Sequence, residues 1–135
     1  MDRVKAAGRK FVLEPEAHEI FKAYGFPVAP FTWVHSEDQA VRAAADLGVP
    51  VALKIVSPDV IHKFDVGGVK LNLETEGEIR QAYAEILASV ARAHPGAVIQ
   101  GLLVQKMMPK GRETILGMTR DPQFGPLLML SLIHI

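Results

Sequence analysis

Lys54 is the only charged residue in the apolar run 51–56, and chemistry could begin there. An ammonium in such a run is costly unless water, a carboxylate or another anion meets it. Two readings stay open: an edge strand with Lys54 in water or paired with an acid, or a compact cation aimed at a polyphosphate. Downstream stand Gly67 and Gly68. They suit either a turn or bulge at a strand entry, or a loop whose N–H groups approach an anion closely. The spacing is not that of a Walker A loop, and no G-x-G-x-x-G is present. Between the lysine and the glycines lies His62, followed by Lys63. His62 is either a solvated loop imidazole or a nucleophile whose neutral nitrogen attacks phosphorus. Of the other histidines, His18 falls on a predicted helix and His94 at a helix end, where both are expected at the surface; His35 and His134 complete the set. No two histidines have the spacing of zinc ligands, and the chain has no cysteine, so a zinc site is not indicated.

A second group follows in the run Leu103-Val104-Gln105-Lys106-Met107-Met108-Pro109. An apolar strand with a polar exit can offer backbone donors and acceptors to a flat base, with the methionines packing against it; Met107 and Met108 could equally be core filling. Glu113, after Lys110-Gly111-Arg112, could accept hydrogen bonds from a ribose or pair with a lysine.

Three helices and a set of strands must position these residues. Glu14-Pro15-Glu16 opens the first helix, with a proline suited to the first turn and acids suited to the positive helix end. Ala17, Ile20, Phe21 and Tyr24 then repeat on one face until Gly25. Ser36-Glu37-Asp38-Gln39 and Thr75-Glu76-Gly77-Glu78 are capping boxes for two more helices, the second ending at His94-Pro95-Gly96. Strands are predicted over 31–35, 51–56, 69–73, 97–108, 113–119 and from 126, with a turn at Arg120-Asp121-Pro122. In 69–73 the alternation puts Val69, Leu71 and Leu73 on one face, and Lys70 and Asn72 on the other. Helices dominate before Pro95-Gly96 and strands after it, which suggests two lobes with a nucleotide crevice between them.

Bulk properties narrow the classes. The chain has 135 residues, 49% hydrophobic and 22% charged, enough for one compact domain. Fifteen basic residues balance fifteen acidic ones, so no overall field favours nucleic acid or an anionic membrane. The charged start reads as neither signal peptide nor anchor, and no apolar run approaches the roughly 18 residues that span a bilayer. The absence of cysteine fits a cytoplasmic setting.

The segments Leu13-Glu14-Pro15-Glu16-Ala17, Tyr24-Gly25-Phe26-Pro27-Val28, Leu53-Lys54-Ile55-Val56-Ser57-Pro58-Asp59, His62-Lys63, Asp65-Val66-Gly67-Gly68-Val69, Leu103-Val104-Gln105 and Asp121-Pro122-Gln123-Phe124-Gly125-Pro126 form an ordered set. That set resembles the ATP-grasp domain of ADP-forming acetyl-CoA and related acyl-CoA synthetases, over 12–129. It is also similar to the matching strand-loop-strand of succinyl-CoA synthetase. The resemblance implies an α/β (α+β) fold: the N-terminal lobe of an ATP-grasp domain plus the first strands of its second lobe, incomplete. It implies 1–11 as a linker or N-terminal extension, 12–95 as the first subdomain and 96–129 as the start of the second. The six residues 130–135 can be back-translated into a sequencing-library adapter, and are expected to be a non-native tail.

The resemblance also implies roles. Lys54 contacts ATP phosphates, Lys63 belongs to the same nucleotide site, and Gly67 and Gly68 belong to a flexible phosphate loop. Gln105, Lys106 and Met107 lie beside the adenine, largely through backbone hydrogen bonds, and Glu113 is counted with the nucleotide-binding residues. His62 relays a phosphoryl group. ATP or ADP and magnesium are the implied ligands, with the magnesium-holding acids expected in a C-terminal half that this sequence does not contain. The implied partner is a CoA-ligase (alpha) domain or subunit, in an enzyme that is oligomeric when intact, with no nucleic-acid or membrane partner. Phe64 departs from the family, where a small polar residue is usual. The rival implication is a regulatory nucleotide-binding module of the kind fused to protein acetyltransferases.

Overall fold

The structure, a computed structural model, describes residues 4, 6, 8, 9 and 11–132. Most of the expected extension 1–11, His134 and the last half of the expected tail therefore lie outside the described residues. Among the described residues the elements follow in order: α1 (Glu14–Ala23), β1 (Phe31–Val34), α2 (Glu37–Leu47), β2 (Val51–Ile55), β3 (Val69–Leu73), α3 (Glu76–Ala93), β4 (Leu102–Lys106), β5 (Thr114–Asp121) and β6 (Gly125–Leu132). Four strands form one antiparallel sheet in the order β1-β4-β2-β3, and β5 pairs with β6 in a separate antiparallel hairpin. This is the mixed α/β architecture expected.

The two central helices form where their caps and apolar faces agree. Ser36 Oγ accepts the Gln39 N–H at the start of α2, and Gln39 Oε1 accepts the His35 N–H. At α3 the box is reciprocal: Thr75 Oγ1 accepts the Glu78 N–H, and Glu78 Oε2 accepts the N–H groups of Glu74 and Thr75. Those backbone donors hold the Glu78 carboxyl below the usual carboxylate range. Thr75→Ala is expected to cost about 1 kcal/mol of stability, read from the urea midpoint.

Alternation along the strands sends one set of side chains to each side of the sheet. Val34, Val51, Leu53, Ile55, Leu73, Leu102 and Val104 are buried against α2 and α3. The other face carries a smaller cluster of Leu13, Val56 and Leu103 with Phe31 and Trp33. Lys54 and Gln105 share that second face, because Lys54 pairs with Leu103 and Ala52 with Gln105.

Several expectations are corrected. Val69, Leu71 and Leu73 do not share a face: Val51 pairs with Leu73 but Leu53 pairs with Lys70, so β3 carries one extra residue against β2. Asn72 accommodates this bulge at φ 57, a conformation asparagine tolerates better than most residues. Leu73 and Lys70 consequently face the helices, where Lys70 pairs with Glu85. Burial fades along α1: Leu13 and Pro15 are buried, whereas Phe21 is 49% and Tyr24 80% exposed. The helix side of the sheet is already filled by α2 and α3, so the apolar face of α1 does not join that core.

The strand expected over 97–108 begins only at Leu102. Gly101 stands at φ 119, and the segment before it is held by loop contacts: Asp59 accepts the Val98 N–H and Val56 O accepts the Gln100 N–H. Across Pro95-Gly96 the chain returns to the same sheet, because β4 inserts between β1 and β2. An apolar triplet such as Leu102-Leu103-Val104 needs cover on both faces, which only an interior strand obtains. At the hairpin, the strands reach Asp121 and Gly125, and the turn falls at 122–124 rather than at 120–122. Asp121 Oδ1 accepts the N–H groups of Gln123 and Phe124 there.

Candidate functional site

Lys54 lies on β2, an interior strand between β4 and β3, so the edge position does not hold, whereas the pairing with an acid does. Its ammonium meets partners on the second face of the sheet. Nζ is 2.8 Å from Glu14 Oε1 and 2.8 Å from Gln105 Oε1. The other oxygen of Glu14 accepts a hydrogen bond from Lys63 Nζ. One carboxylate from the first residue of α1 therefore joins a lysine of the sheet to a lysine of the loop between β2 and β3. Burial alone would raise the Glu14 carboxyl, but the hydrogen bonds from Lys54 and Lys63 outweigh it and hold it below the usual range.

These groups open onto a cleft of about 480 Å³, a size typical of small-molecule sites. Its charged and polar lining is Glu14, Lys54, His62, Lys63 and Asp65, and its apolar lining is Ile61, Phe64, Val69 and Leu71. The lysine side chains are only 23% and 20% exposed. Two ammoniums converge on one bridging carboxylate in a half-buried place, with Asp65 also in the lining, and Coulomb attraction there is stronger than in open water. His62 is exposed, beside Lys63. A cleft so equipped can hold a polyanion and present an imidazole to it.

His18, expected at the surface, is instead half-buried one turn along α1. Its ring packs on Phe31 at 4.9 Å, and Nε2 is 4.0 Å from Glu14 Oε1. Desolvation lowers its pKa, which keeps the ring neutral at a place where two lysines already stand.

The remaining predicted residues are not all brought to this cleft. Gly67 and Gly68 lie on the helix side: a Cβ at Gly67 would come 3.2 Å from Ser89, and one at Gly68 2.7 Å from Ile55 and 2.9 Å from Lys63 O. Their N–H groups are engaged by Phe64 O and Lys63 O. In this conformation the pair closes the loop tightly rather than offering donors to an anion. Gln105 does reach the site, through its side-chain bond to Lys54. The Lys106 ammonium lies beside Gly48, at the end of α2 on the other face, and the N–H groups of Lys106 and Met107 are accepted by Pro30 O and Pro50 O. Glu113 is exposed in the segment before β5.

Glu14 is the residue that sequence reasoning did not assign to the site. A helix-start acid beside a proline already has a local explanation, and its partners lie 40 and 49 residues away. Among the described residues no three His, Cys, Asp or Glu side chains gather as a metal site requires. Among the same residues no helix is long and apolar enough to cross a membrane.

Comparison with known proteins carries this geometry into a family. The sequence pattern of an ATP-grasp domain matches residues 3–132. The chain is 46% identical over 132 residues to the beta subunit of acetate–CoA ligase [ADP-forming] I of Pyrococcus furiosus, covering 98% of this chain and 56% of that one. A dinucleotide-forming acetyl-coenzyme A synthetase 1 of Ca. Korarchaeum cryptofilum, solved with coenzyme A, Ca-AMPCP and HgCl+, superposes with a TM-score of 0.93 at 51% identity, over 96% of this chain and 57% of that chain. The same synthetase with coenzyme A, acetyl-coenzyme A and a phosphorylated phosphohistidine segment gives a TM-score of 0.86 at 48% identity, over 98% and 57%. The chain thus spans little more than half the length of these relatives. By its extent of match and by its fold, the chain belongs to the ATP-grasp domain family.

Proposed function

We propose that this chain supplies the polyphosphate-holding part of the nucleotide site of an ADP-forming acyl-CoA synthetase, with His62 as a phosphoryl relay. The observation that carries the reading is the convergence of Lys54 and Lys63, from a strand and a loop, on one cleft that His62 also lines. The kinship with synthetases solved with nucleotide analogues, and in one case with a phosphorylated phosphohistidine segment, supports it.

The reaction begins when phosphate displaces CoA from acyl-CoA to give an acyl phosphate, in a CoA-ligase domain or subunit. A histidine nitrogen takes the phosphoryl group, breaking the bond from phosphorus to the carboxyl oxygen and releasing the acid. The terminal oxygen of ADP then attacks phosphorus, the P–N bond breaks, and ATP and a neutral imidazole result. Lys54 and Lys63 neutralise the phosphate oxygens, and Gln105 orients Lys54. The strand exit at Gln105, Lys106 and Met107 lies beside the base, with Glu113 towards the ribose. Gly67 and Gly68 give the His62 loop its tight closure. Magnesium would enter with the nucleotide and spread its charge, held by residues beyond those described.

Calorimetry with Mg-ADP tests the site. Saturable binding is expected, weakened roughly 10- to 100-fold by Lys54→Ala, as befits a charged hydrogen bond worth ~1.5–3 kcal/mol. Equal affinity in the variant would remove Lys54 from the site.

A further inference from the structure

Glu14 is the acid that reaches both lysines of the cleft, and the phosphoryl relay makes no use of it. Its carboxylate spans three separately folded pieces: the start of α1, strand β2 and the His62 loop. Each oxygen takes one ammonium, which is also how two oxygens of a phosphate would engage the same pair. We propose that Glu14 is a displaceable internal anion, which occupies Lys54 and Lys63 in the nucleotide-free cleft and latches the His62 loop to α1 until a polyphosphate takes those ammoniums from it.

The inference rests on the reading of this cleft as a polyphosphate site. It makes Glu14 a positioning residue that acts through the two lysines. Without an anion between them, two ammoniums on a shared, half-buried cleft would repel and swing apart. With Glu14 they stay converged, at the expense of affinity for any incoming anion, because the carboxylate must be displaced first. A polyphosphate brings more charge and more oxygens than one carboxylate, so it wins the exchange. A single weak anion does not. The device thus discriminates between polyphosphates and lone carboxylates. The side-chain amide of Gln105, 2.8 Å from Lys54 Nζ, keeps that lysine aligned after release. Glu14 keeps a place to return to, since an acid at a helix N-terminus is favoured there by the helix dipole.

Glu14→Gln keeps the shape and removes the charge. In the full chain it is expected to bind Mg-ADP and tripolyphosphate roughly three- to tenfold more tightly than the wild type. Acetate, titrated as competitor, is expected to inhibit tripolyphosphate binding in Glu14→Gln but not in the wild type. Glu14→Asp, one methylene shorter, keeps the charge but cannot span both lysines, and is expected to fall between the two. It also carries the test if Glu14→Gln does not fold, by binding more tightly than the wild type. A merely structural role predicts a lower Tm with unchanged or weaker anion binding, and that result would overturn the proposal. If the wild type binds and Lys54→Ala does not, while neither Glu14 variant is tighter, only the latch is lost. If neither ligand binds the wild type or the variants, the polyphosphate reading falls and the latch falls with it.

Discussion

Replacing His62 with alanine in the assembled ligase is expected to lower ATP formation from acyl-CoA, ADP and phosphate on the order of 10³-fold or more. Mg-ADP affinity should stay within about threefold, since an exposed contact on the rim adds little binding. The two effects separate because His62 and the lysines occupy different positions in the cleft. Lys54 and Lys63 are drawn into it by Glu14, whereas His62 is exposed at its edge. Its neighbours Ile61 and Phe64 are 76% and 71% exposed, so the side chains around His62, apart from Lys63, are not packed into the fold. A substitution there should perturb stability by no more than about 0.5 kcal/mol. Loss of turnover would then report chemistry rather than unfolding. A second measurement sharpens the result: labelled phosphate carried from acyl phosphate should appear on the wild-type chain as an acid-labile, base-stable adduct, and not on His62→Ala. Turnover retained in the variant would move the relay to another residue.

How much of this was legible in the sequence depends on the distance over which each feature is decided. α2 and α3 were readable because their caps and apolar faces lie within a few residues of one another: Ser36 with Gln39, Thr75 with Glu78. The strand of Lys54 was readable as a strand, but not as an interior one. Its neighbour β4 arrives from beyond α3, and no local signal announces the order β1-β4-β2-β3. The faces of β3 were misread for a related reason. Strict alternation assumes no bulge, and the bulge at Asn72 is visible only against the register of β2.

The site divides in the same way. Lys54 and His62 stood out because a charge in an apolar run and a histidine before a glycine pair are local anomalies, whereas Lys63 entered the site only through the family resemblance. Glu14 did not stand out, since its meaning depends on folding α1 across the second face of the sheet. Gly67 and Gly68 stood out as residues, but sequence could not tell a phosphate cradle from a tight closure. That choice turns on Ile55 and Ser89, which crowd the space where side chains would go.

The largest loss of stability is expected from Gly101→Ala, about 4 kcal/mol or more, a size reached only when several penalties coincide. Gly101 sits at φ 119, where an L-residue is strained, and an added Cβ would lie 2.3 Å from Val34 O, 2.9 Å from His35 Nδ1 and 3.0 Å from Trp33 Nε1. The nearest of these is backbone of β1, so relief requires β1 and β4 to separate at the point where β4 begins. The neighbouring hydrogen bonds would be lost with the clearance: Trp33 Nε1 to Gln100 O, and Val56 N–H to Gly101 O. Gly96→Ala supplies the control. It also has a positive φ, 89, but its Cβ would meet nothing within 4 Å, so backbone strain alone should cost about 1–2 kcal/mol. Urea midpoints of the two variants distinguish clearance from conformation. If Gly101→Ala were no worse than Gly96→Ala, the close crossing of β1 over the start of β4 would not be what fixes this end of the sheet. The consequence would reach the cleft, because Val56 is the residue from which the His62 loop departs. A loop rooted there, by the Val56 N–H to Gly101 O bond together with the Gln100 N–H to Val56 O bond, keeps Lys63 within reach of Glu14, and a root that shifts releases both the latch and the imidazole from their common place.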